Sequence, residues 1–543
     1  MSENTLIQLQ FPSNQEIISI YCTENENLLE AMTRQGILYR SECGGRGTCG
    51  KCRLQVIEGT LEITIQDKTI FTNDELQQGC RLSCKAYPKS DCTVLLTNEY
   101  GTEFAVITEN EIEQSKPTAQ IRDELGGLLS EQQQDDSYVI GIDLGTTTLA
   151  VTLVGIPSRK VLRTYTGINS QRVYGADVIS RIQASNEGKG EQLRDSIRRD
   201  LLKGILAIIK EEGIAKSTVK MVAISGNTTM GHLLMGYSCK TLGIYPFTPI
   251  NNRTTEIKFQ ELFQPVSSEL GEIRENISGL QDIPVILLPG ISTFVGGDIV
   301  AGLLVCGFDQ TKKPCLLIDL GTNGEMAIGN QDSILVSSTA AGPAFEGGNI
   351  SCGVGSIPGA ISHVQIEGNK LQHQTINGKP AIGICGTGVI DITSELLKAG
   401  FMDDTGLLIE DYFKNGYEIT EEGYHFTQKD IRELQLAKAA IRAGLEILIY
   451  RYKITYQQID TVYLAGGFGY RIDVEKAIHI GLLPEELQDK IKVIGNSSLA
   501  GAVQYLTNGD ARDRVNRILA AAKEIHLSGD KDFNNLYIKY MSF

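Results

Sequence analysis

One repeated stretch constrains this chain more than any other feature of its sequence. Residues 138–153 read YVIGIDLGTTTLAVTL and residues 314–329 read PCLLIDLGTNGEMAIG. Each copy is an apolar strand, an Ile-Asp-Leu-Gly-Thr turn and a second strand. The surrounding alternation of apolar strands with longer helical stretches is typical of α/β proteins. The repeat predicts two copies of one α/β fold that face each other, with two equivalent turns on either side of a cleft.

The two turns have the residue types of phosphate-binding loops. Neither is a Walker A loop, because no Gly-Lys-Ser/Thr follows. Backbone N–H groups of small residues can hold phosphate oxygens, and a carboxylate at the strand end can hold Mg²⁺ beside them. We therefore expect phosphate contacts, with Mg²⁺ held at the two aspartates, from Asp143, Gly145, Thr146, Thr147 and Thr148 in the first copy and from Asp319, Gly321, Thr322 and Asn323 in the second.

A third glycine-rich turn ends an apolar strand nearer the C-terminus. Residues 462–469 read VYLAGGFG, and Gly466 and Gly467 would let the backbone approach an adenosine closely. A single turn of this kind is most often structural. Three of them in this order, two being duplicated, indicate a nucleotide site.

The N-terminal part of the chain is rich in cysteine. Cys43, Cys49 and Cys52 form C-x5-C-x2-C on a loop of small residues, and either Cys80 or Cys84 can supply a fourth sulfur. Backbone N–H groups of such a loop can donate to sulfide and thiolate, which favours an iron–sulfur cluster. Zinc is the alternative, although zinc sites usually use two paired knuckles.

Around this loop the pattern predicts a small mixed sheet with one helix. The predicted strands are 5–9, 16–21, 53–58, 61–65 and 93–97, and the helix spans 27–35. An acidic segment, 101–137, then reads as a linker. The expected domains are 1–100, the linker 101–137, and the two halves 138–313 and 314–543.

Composition excludes several classes of protein. The chain has 543 residues, enough for three or four domains, and a net charge of −16 without any Lys/Arg run. Nucleic-acid binding is therefore not expected. The N-terminus lacks the pattern of a signal peptide and no apolar run approaches the ~20 residues of a membrane span, so a cytoplasmic protein is expected.

Two family resemblances rest on these motifs. SECGGRGTCGKC and LSCKAYPKSDCTV resemble the ligand loop and closing segment of plant-type [2Fe–2S] ferredoxins, which implies a β-grasp fold and Cys84 as the fourth ligand. The three turns resemble the phosphate-1, phosphate-2 and adenosine motifs of the actin, sugar kinase and heat-shock chaperone ATPase superfamily, whose fold is a duplicated RNase H-like domain.

The superfamily resemblance also identifies two connecting helices. GISTFVGGDIVAG at 290–302 and NSSLAGAV at 496–503 resemble them. Asp298 in the first is then a catalytic carboxylate that positions a water or holds the metal. The alternative is a charge that caps the helix or stabilises its first turn.

Over nearly the whole chain the sequence resembles the ATP-dependent reductive activators of corrinoid proteins. The stretches that carry this resemblance include SQRVYGADVISRI (170–182), SGNTTMGHLLMG (225–236), AAGPAFEGGNISCGVGSIPGAI (340–361) and GICGTGVID (383–391). The family implies reduction of inactive Co(II) to Co(I) in a corrinoid methyl-carrier protein, with a [2Fe–2S] cluster, ATP and Mg²⁺ as cofactors. It also implies a low-potential cellular electron donor, a homodimer, and Gly386, Thr387 and Gly388 as nucleotide contacts.

Some assignments leave alternatives open. Ser351 is a candidate oxygen donor near cobalt, or part of a phosphate-side loop of the second half. Tyr174 and Asp177 line the cleft, or serve as a surface contact and a cap. The linker is expected to swing the ferredoxin domain towards the cobalt. Rival functions are a small-molecule kinase with a regulatory cluster, a reductive ATPase for another low-potential metalloenzyme, and a redox sensor that does not turn over ATP.

Overall fold

The computed structural model describes residues 5–11, 17–35, 37, 39, 41, 44–97, 136–263, 277–368, 370–421, 423–466 and 472–543. Cys43, Gly467 and the predicted linker as far as residue 135 lie outside the described residues.

The N-terminal domain is a five-stranded mixed sheet crossed by one helix, as the β-grasp prediction requires. Its strand order is β2-β1-β5-β3-β4, with β1 antiparallel to β2 and parallel to β5. The strands are β1 (Thr5–Gln10), β2 (Ile17–Cys22), β3 (Arg53–Glu58), β4 (Cys80–Leu82) and β5 (Cys92–Leu96), and the helices are α1 (Leu28–Arg34), α2 (Ile65–Ile70) and α3 (Asn73–Gln77).

The strand predicted at 61–65 is wrong. Thr64 instead starts α2, because its hydroxyl accepts from the backbone N–H of Asp67 and the Asp67 carboxylate accepts from the backbone N–H of Thr64. This reciprocal capping box fixes a helix start where the alternation of apolar residues suggested a strand.

The first α/β half is built on a six-stranded sheet of order β10-β11-β9-β6-β7-β8. Its strands are β6 (Ser137–Leu144), β7 (Thr148–Ile156), β8 (Val161–Ile168), β9 (Val219–Gly226), β10 (Thr255–Lys258) and β11 (Pro284–Leu287). Its helices are α4 (Val178–Ala184), α5 (Gly190–Glu211), α6 (Thr228–Met235), α7 (Phe259–Leu262) and α8 (Gly297–Val305).

The second half has a six-stranded sheet of order β21-β20-β12-β13-β14-β22, with a three-stranded sheet and a hairpin inserted after β14. The strands are β12 (Cys315–Leu320), β13 (Gly324–Asn330), β14 (Ser333–Thr339), β15 (Ala360–Glu367), β16 (Lys370–Thr375), β17 (Gly383–Ile384), β18 (Tyr417–Glu418), β19 (His425–Phe426), β20 (Thr461–Ala465), β21 (Ile491–Gly495) and β22 (Ala522–Glu524). The helices are α9 (Gly386–Lys398), α10 (Glu410–Phe413), α11 (Gln428–Tyr452), α12 (Val474–His479), α13 (Ser497–Thr507), α14 (Ala511–Ala521) and α15 (Lys531–Lys539).

The two large sheets confirm the predicted duplication. In each, the strand before the Asp-Leu-Gly-Thr turn pairs antiparallel with the strand after it and parallel with a later strand: β6 with β7 and β9, and β12 with β13 and β20. The two turns therefore occupy equivalent positions at the carboxyl ends of β6 and β12.

The predicted connecting helices, α8 and α13, pack against each other between the sheets. A side chain at Gly501 would overlap the carbonyl oxygen of Ala301, so the two backbones lie in direct contact. Around these two helices lies a buried apolar core made of residues from both halves, among them Leu303, Leu317 and Ala502. The halves thus share one interior behind the cleft.

Candidate nucleotide and cluster sites

The predicted carboxylates converge at the base of the cleft. Asp143 ends β6, Asp319 lies in β12 and Asp298 lies in the first turn of α8. Asn496 and Ser498, at the start of α13, donate hydrogen bonds of 2.8 and 2.6 Å to the two oxygens of Asp143. The second connecting helix therefore orients a carboxylate of the opposite half.

Burial and mutual repulsion raise the pKa values of these carboxylates, so a bound cation would stabilise their ionised forms. Burial, and then the neighbouring Asp298 and Asp143, raise the pKa of Asp319 to about 7. Burial also raises the pKa of Asp298, and Asp143 adds to that rise. Buried like charges that each resist ionisation are stabilised when a hard divalent ion lies between them.

Glu325 belongs to the same group and was missed by the sequence reasoning. It lies on β13 directly opposite Asp319. Burial raises its pKa, and Asp298 and Asp319 add to the rise. The signal was present, because Glu325 is the one charged residue in the otherwise apolar strand GEMAIG of the repeat.

A second unpredicted carboxylate joins the two turns across the cleft. Thr147 of the first turn and Thr322 of the second each donate a 2.9 Å hydrogen bond to the same oxygen of Glu346. Glu346 ends a short 3-10 turn, Pro343–Glu346, in the stretch that the sequence offered as a phosphate-side loop. The loop does face the phosphate turns, and Glu346 is the residue that reaches them.

The turns have the tight backbone that close approach to phosphate needs. Gly145 N–H donates to the carbonyl of Thr148, and Gly321 N–H donates to that of Asn323. The Thr146 hydroxyl accepts a 2.9 Å bond from Asn227. The predicted phosphate residues therefore form two compact turns in the described chain.

The remaining residues predicted to contact the nucleotide lie in two separate parts of the structure. Gly466, with φ +112°, lies beside the aspartate group, because a Cβ there would lie 3.1 Å from a carboxylate oxygen of Asp319. Gly386, Thr387 and Gly388 are buried in the first turn of α9. A Cβ on Gly386 would overlap the carbonyl of Phe345, so this glycine lets α9 pack against the Glu346 loop.

Ser351 lies away from the carboxylates. Its hydroxyl donates a 2.9 Å bond and its N–H a 2.7 Å bond to the same oxygen of Asp430, which caps α11. Asp177 likewise is a helix cap, that of α4.

Two of the predicted cluster ligands, Cys52 and Cys84, lie in contact. The sulfurs of Cys52 and Cys84 are 3.3 Å apart, close to the ~3.8 Å between two thiolates at ~2.3 Å from one tetrahedral metal. The backbone N–H of Lys51 points to the sulfur of Cys49 at 3.5 Å. Cys80 lies on β4 opposite Gln55. These positions fit Cys49, Cys52 and Cys84 as three of the cluster ligands, whereas the predicted fourth ligand, Cys43, lies outside the described residues.

The other thiols of this domain pack in its core. Burial raises the pKa of Cys22 to about 12 and that of Cys92 to about 11, and it also raises the pKa of Cys80. Their burial fits a packing role.

No helix within the described ranges combines the length and the apolar character that a membrane span requires.

Comparisons with known proteins cover all three regions. Residues 313–543 match the model of the "C-terminal domain of RACo the ASKHA domain", 138–311 that of the "RACo middle region", and 12–89 that of the "2Fe-2S iron-sulfur cluster binding domain". Similar curated proteins include the "Corrinoid activation enzyme RamQ" of Eubacterium limosum, 32% identical over 76% of this chain and 72% of the relative.

A second curated protein and a solved structure are also similar to this chain. The "[Co(II) methylated amine-specific corrinoid protein] reductase" of Methanosarcina barkeri is 29% identical over 75% of this chain and 77% of that protein. The solved structure of a "Reductive activator for corrinoid,iron-sulfur protein" is 29% identical and covers 99% of this chain and 98% of its own, with a TM-score of 0.68. The chain therefore belongs to the family of reductive activators of corrinoid proteins.

Proposed function

We propose that this protein reduces the inactive Co(II) form of a corrinoid methyl-carrier protein to Co(I), by one-electron transfer coupled to ATP binding and hydrolysis. The observation that carries the proposal is the joining, in one chain, of a cysteine loop with Cys52 and Cys84 in contact and a cleft with two phosphate turns over buried carboxylates. The names of the two curated relatives and of the solved structure support it.

In the cleft, the residues have separable roles. The backbone and hydroxyls of residues 145–148 and 321–323 would hold phosphate oxygens. Asp143 and Asp319, with Glu325 beside them, would hold Mg²⁺, whose charge offsets that of the buried carboxylates. Asp298, fixed in the first turn of α8, would orient the attacking water and take its proton.

In the ferredoxin domain, four thiolates would hold the cluster, which supplies one electron at roughly −400 mV. The loop glycines 44, 45, 47 and 50 all have positive φ, so the backbone can wrap closely around the group it binds. Buried Cys84 and Cys52 would be shielded from water on the side of the domain core.

The free energy needed for the uphill electron transfer lies within the range of typical coupling free energies between two sites. For one electron ~59 mV corresponds to ~1.4 kcal/mol, so an uphill gap of ~100 mV costs about 2.3 kcal/mol. Coupling between sites is typically ~1–3 kcal/mol. Binding a nucleotide across the cleft is therefore sufficient to offset such a gap by changing how the partner is held.

We also propose Ser351 as a contact with the partner. The residue is exposed, although its hydroxyl is bonded to Asp430. A low-potential cellular protein would supply the electron, and we propose that the protein acts in the cytoplasm.

The test is an anaerobic absorbance assay. The reduced protein is mixed with a Co(II) corrinoid carrier from the same organism, with and without Mg-ATP. Formation of Co(I) only with Mg-ATP is expected. Transfer of phosphate to a metabolite without any Co(I) would instead favour a kinase.

Three variants sharpen this assay. Cys84→Ser should abolish the visible cluster spectrum, whereas the matched Cys80→Ser should retain it. Asp319→Asn should abolish ATP turnover while leaving the cluster spectrum unchanged. A spectrum lost in Cys80→Ser and kept in Cys84→Ser would overturn the ligand assignment.

A further inference from the structure

The ferredoxin domain lies against one defined surface of the first half, here called the docking face: residues 172–175 together with Lys189 and Arg199. The Lys189 ammonium contacts the Glu30 carboxylate of α1 at 3.0 Å. Arg199 donates a 3.2 Å bond to the carbonyl of Arg34, and Arg172 lies 3.5 Å from that of Ser41. Cations on the face thus meet acceptors on the ferredoxin domain.

The centre of this contact is apolar. Val173 is 5% exposed and packs within the core of the ferredoxin domain. Tyr174 packs against that core and also against the core of the first half. Burial raises the pKa of its hydroxyl, and the ferredoxin carboxylates Glu30 and Glu26 add to the rise. Tyr174 is therefore the surface contact, the second of the two alternatives that the sequence left open.

The contact reaches the cysteine loop itself. A side chain on Gly44, next to the predicted ligand Cys43, would overlap the Cα of Gly175. One on Gly45 would lie 3.3 Å from the carbonyl of Val173. In the docked position, one side of the cluster loop is covered by the backbone of the docking face.

The same segment is bonded to the first phosphate turn. The Asn169 N–H donates to the carbonyl of Thr147 at 2.9 Å, and its side-chain amide donates to that of Gly145 at 2.9 Å. Arg181 donates to the carbonyl of Thr146 at 2.6 Å and to that of Gly175 at 2.8 Å. One guanidinium therefore joins the phosphate turn to the residue that touches Gly44.

The charge of Arg181 makes this link sensitive to an anion. Its side chain is fully buried, and its bonding partners among the described residues are carbonyls, Gln171 and the sulfur of Met230. The carboxylates of Asp177 and Asp200 act on it only at longer range. A buried cation without a bonded carboxylate is costly, and a triphosphate at residues 145–148 would offset that cost. The anion would draw the guanidinium towards the turn and away from Gly175.

We propose that segment 169–181 couples the nucleotide site to the docking face, so that Mg-ATP weakens the docking of the ferredoxin domain and frees its cluster loop. The proposal rests on the proposed function in so far as the cleft binds Mg-ATP. By linkage, release of the domain must tighten Mg-ATP binding by the same factor.

Charge reversal tests the coupling in the full-length protein. Lys189→Glu and Glu30→Lys should each favour release and bind Mg-ATP about two- to fivefold tighter, as expected for a partly exposed pair. The double variant Glu30→Lys with Lys189→Glu should restore wild-type affinity. Lys210→Glu, an exposed lysine at the far end of α5, the helix that follows Lys189, is the charge-matched control and should not change it. Calorimetry measures the affinities.

Hydrogen exchange measures docking directly. Saturating Mg-ATP should reduce amide protection in residues 28–34 and 170–176, and Val173→Asp should do so without nucleotide. Mg-ATP binding with unchanged exchange in both segments, or equal affinities in all the charge variants, would overturn the coupling alone. Failure to bind Mg-ATP at all would overturn the proposed function and the coupling with it.

Discussion

Glu346 brings a negative charge to the point where the two phosphate turns meet. Its carboxylate accepts from Thr147 and Thr322, hydroxyls that a bound phosphate would also use. Glu346→Gln keeps an acceptor there but removes the repulsion. We expect it to bind Mg-ATP about tenfold tighter, measured by calorimetry. Weaker binding would mean that the carboxylate holds Mg²⁺ instead. Glu410→Gln, an exposed residue, serves as the control.

Asp200 gives the segment behind the docking face a pH dependence. It accepts from the N–H and the hydroxyl of Ser170 at 2.8 and 3.0 Å, and burial raises its pKa to about 6. Below pH ~4 the carboxyl is protonated in both the folded and the unfolded state. Between pH ~4 and 6 the folded state keeps a proton that the unfolded state has lost. The stability contributed by this group is therefore lost as the pH rises through 6.

Replacing Asp200 by a residue that does not titrate should change how the unfolding free energy depends on pH. Relative to the wild type, Asp200→Asn should gain roughly 2 kcal/mol of unfolding free energy between pH 4.5 and 7.5, measured by urea denaturation at both pH values. Asp489→Asn, an exposed aspartate, should show no such gain. An equal effect of Asp200→Asn at the two pH values would contradict the assignment.

Short-range patterns made part of the site predictable. Asp143 and Asp319 were found because the same five residues recur after two apolar strands. Glu325 follows from the strand alternation once β12 and β13 are paired, since it lies opposite Asp319. Glu346 could not be found in this way, because its contact with Thr147 joins residues 199 apart through the folded cleft.

The contact between α8 and α13 depends on a residue without a side chain. At Gly501 a methyl group would overlap the carbonyl and Cβ of Ala301. Gly501→Ala should therefore force the connecting helices apart and lower the unfolding free energy by about 1–3 kcal/mol, measured in urea. Gly509→Ala is the matched control, because nothing lies within 4 Å of its added Cβ. Similar losses in both variants would show that helix contact is not the cause.

Elements were predictable where pattern and capping agree. The helix predicted over 27–35 is α1, capped by Asn27, whose side chain accepts from the N–H of Glu30. The strand predicted at 61–65 failed because residues 61–64 pair with no strand of the described sheet and the cap at Thr64 starts α2 at residue 65. In the inserted sheet, β15 and β16 form a local hairpin, whereas the parallel pairing of β15 with β17 joins strands that no local pattern in the sequence links.

The arrangement of cores predicts how the whole chain unfolds. The ferredoxin domain has its own apolar core, to which the first half adds Val173 and Tyr174. The two halves share the core around α8 and α13. Because a cooperative unit unfolds with its core, we expect two calorimetric transitions, one for the ferredoxin domain and one for both halves together.

Ligands should move these two transitions separately. Mg-ATP at 100 times its Kd adds about 2.7 kcal/mol to the unit that binds it, which raises the transition of the two halves by roughly 3 °C. The ferredoxin transition should not rise with Mg-ATP. Cys84→Ser should lower the ferredoxin transition alone, since the ligands lie within that core. A single transition that Mg-ATP and Cys84→Ser both displace would show instead that docking makes the three regions one cooperative unit.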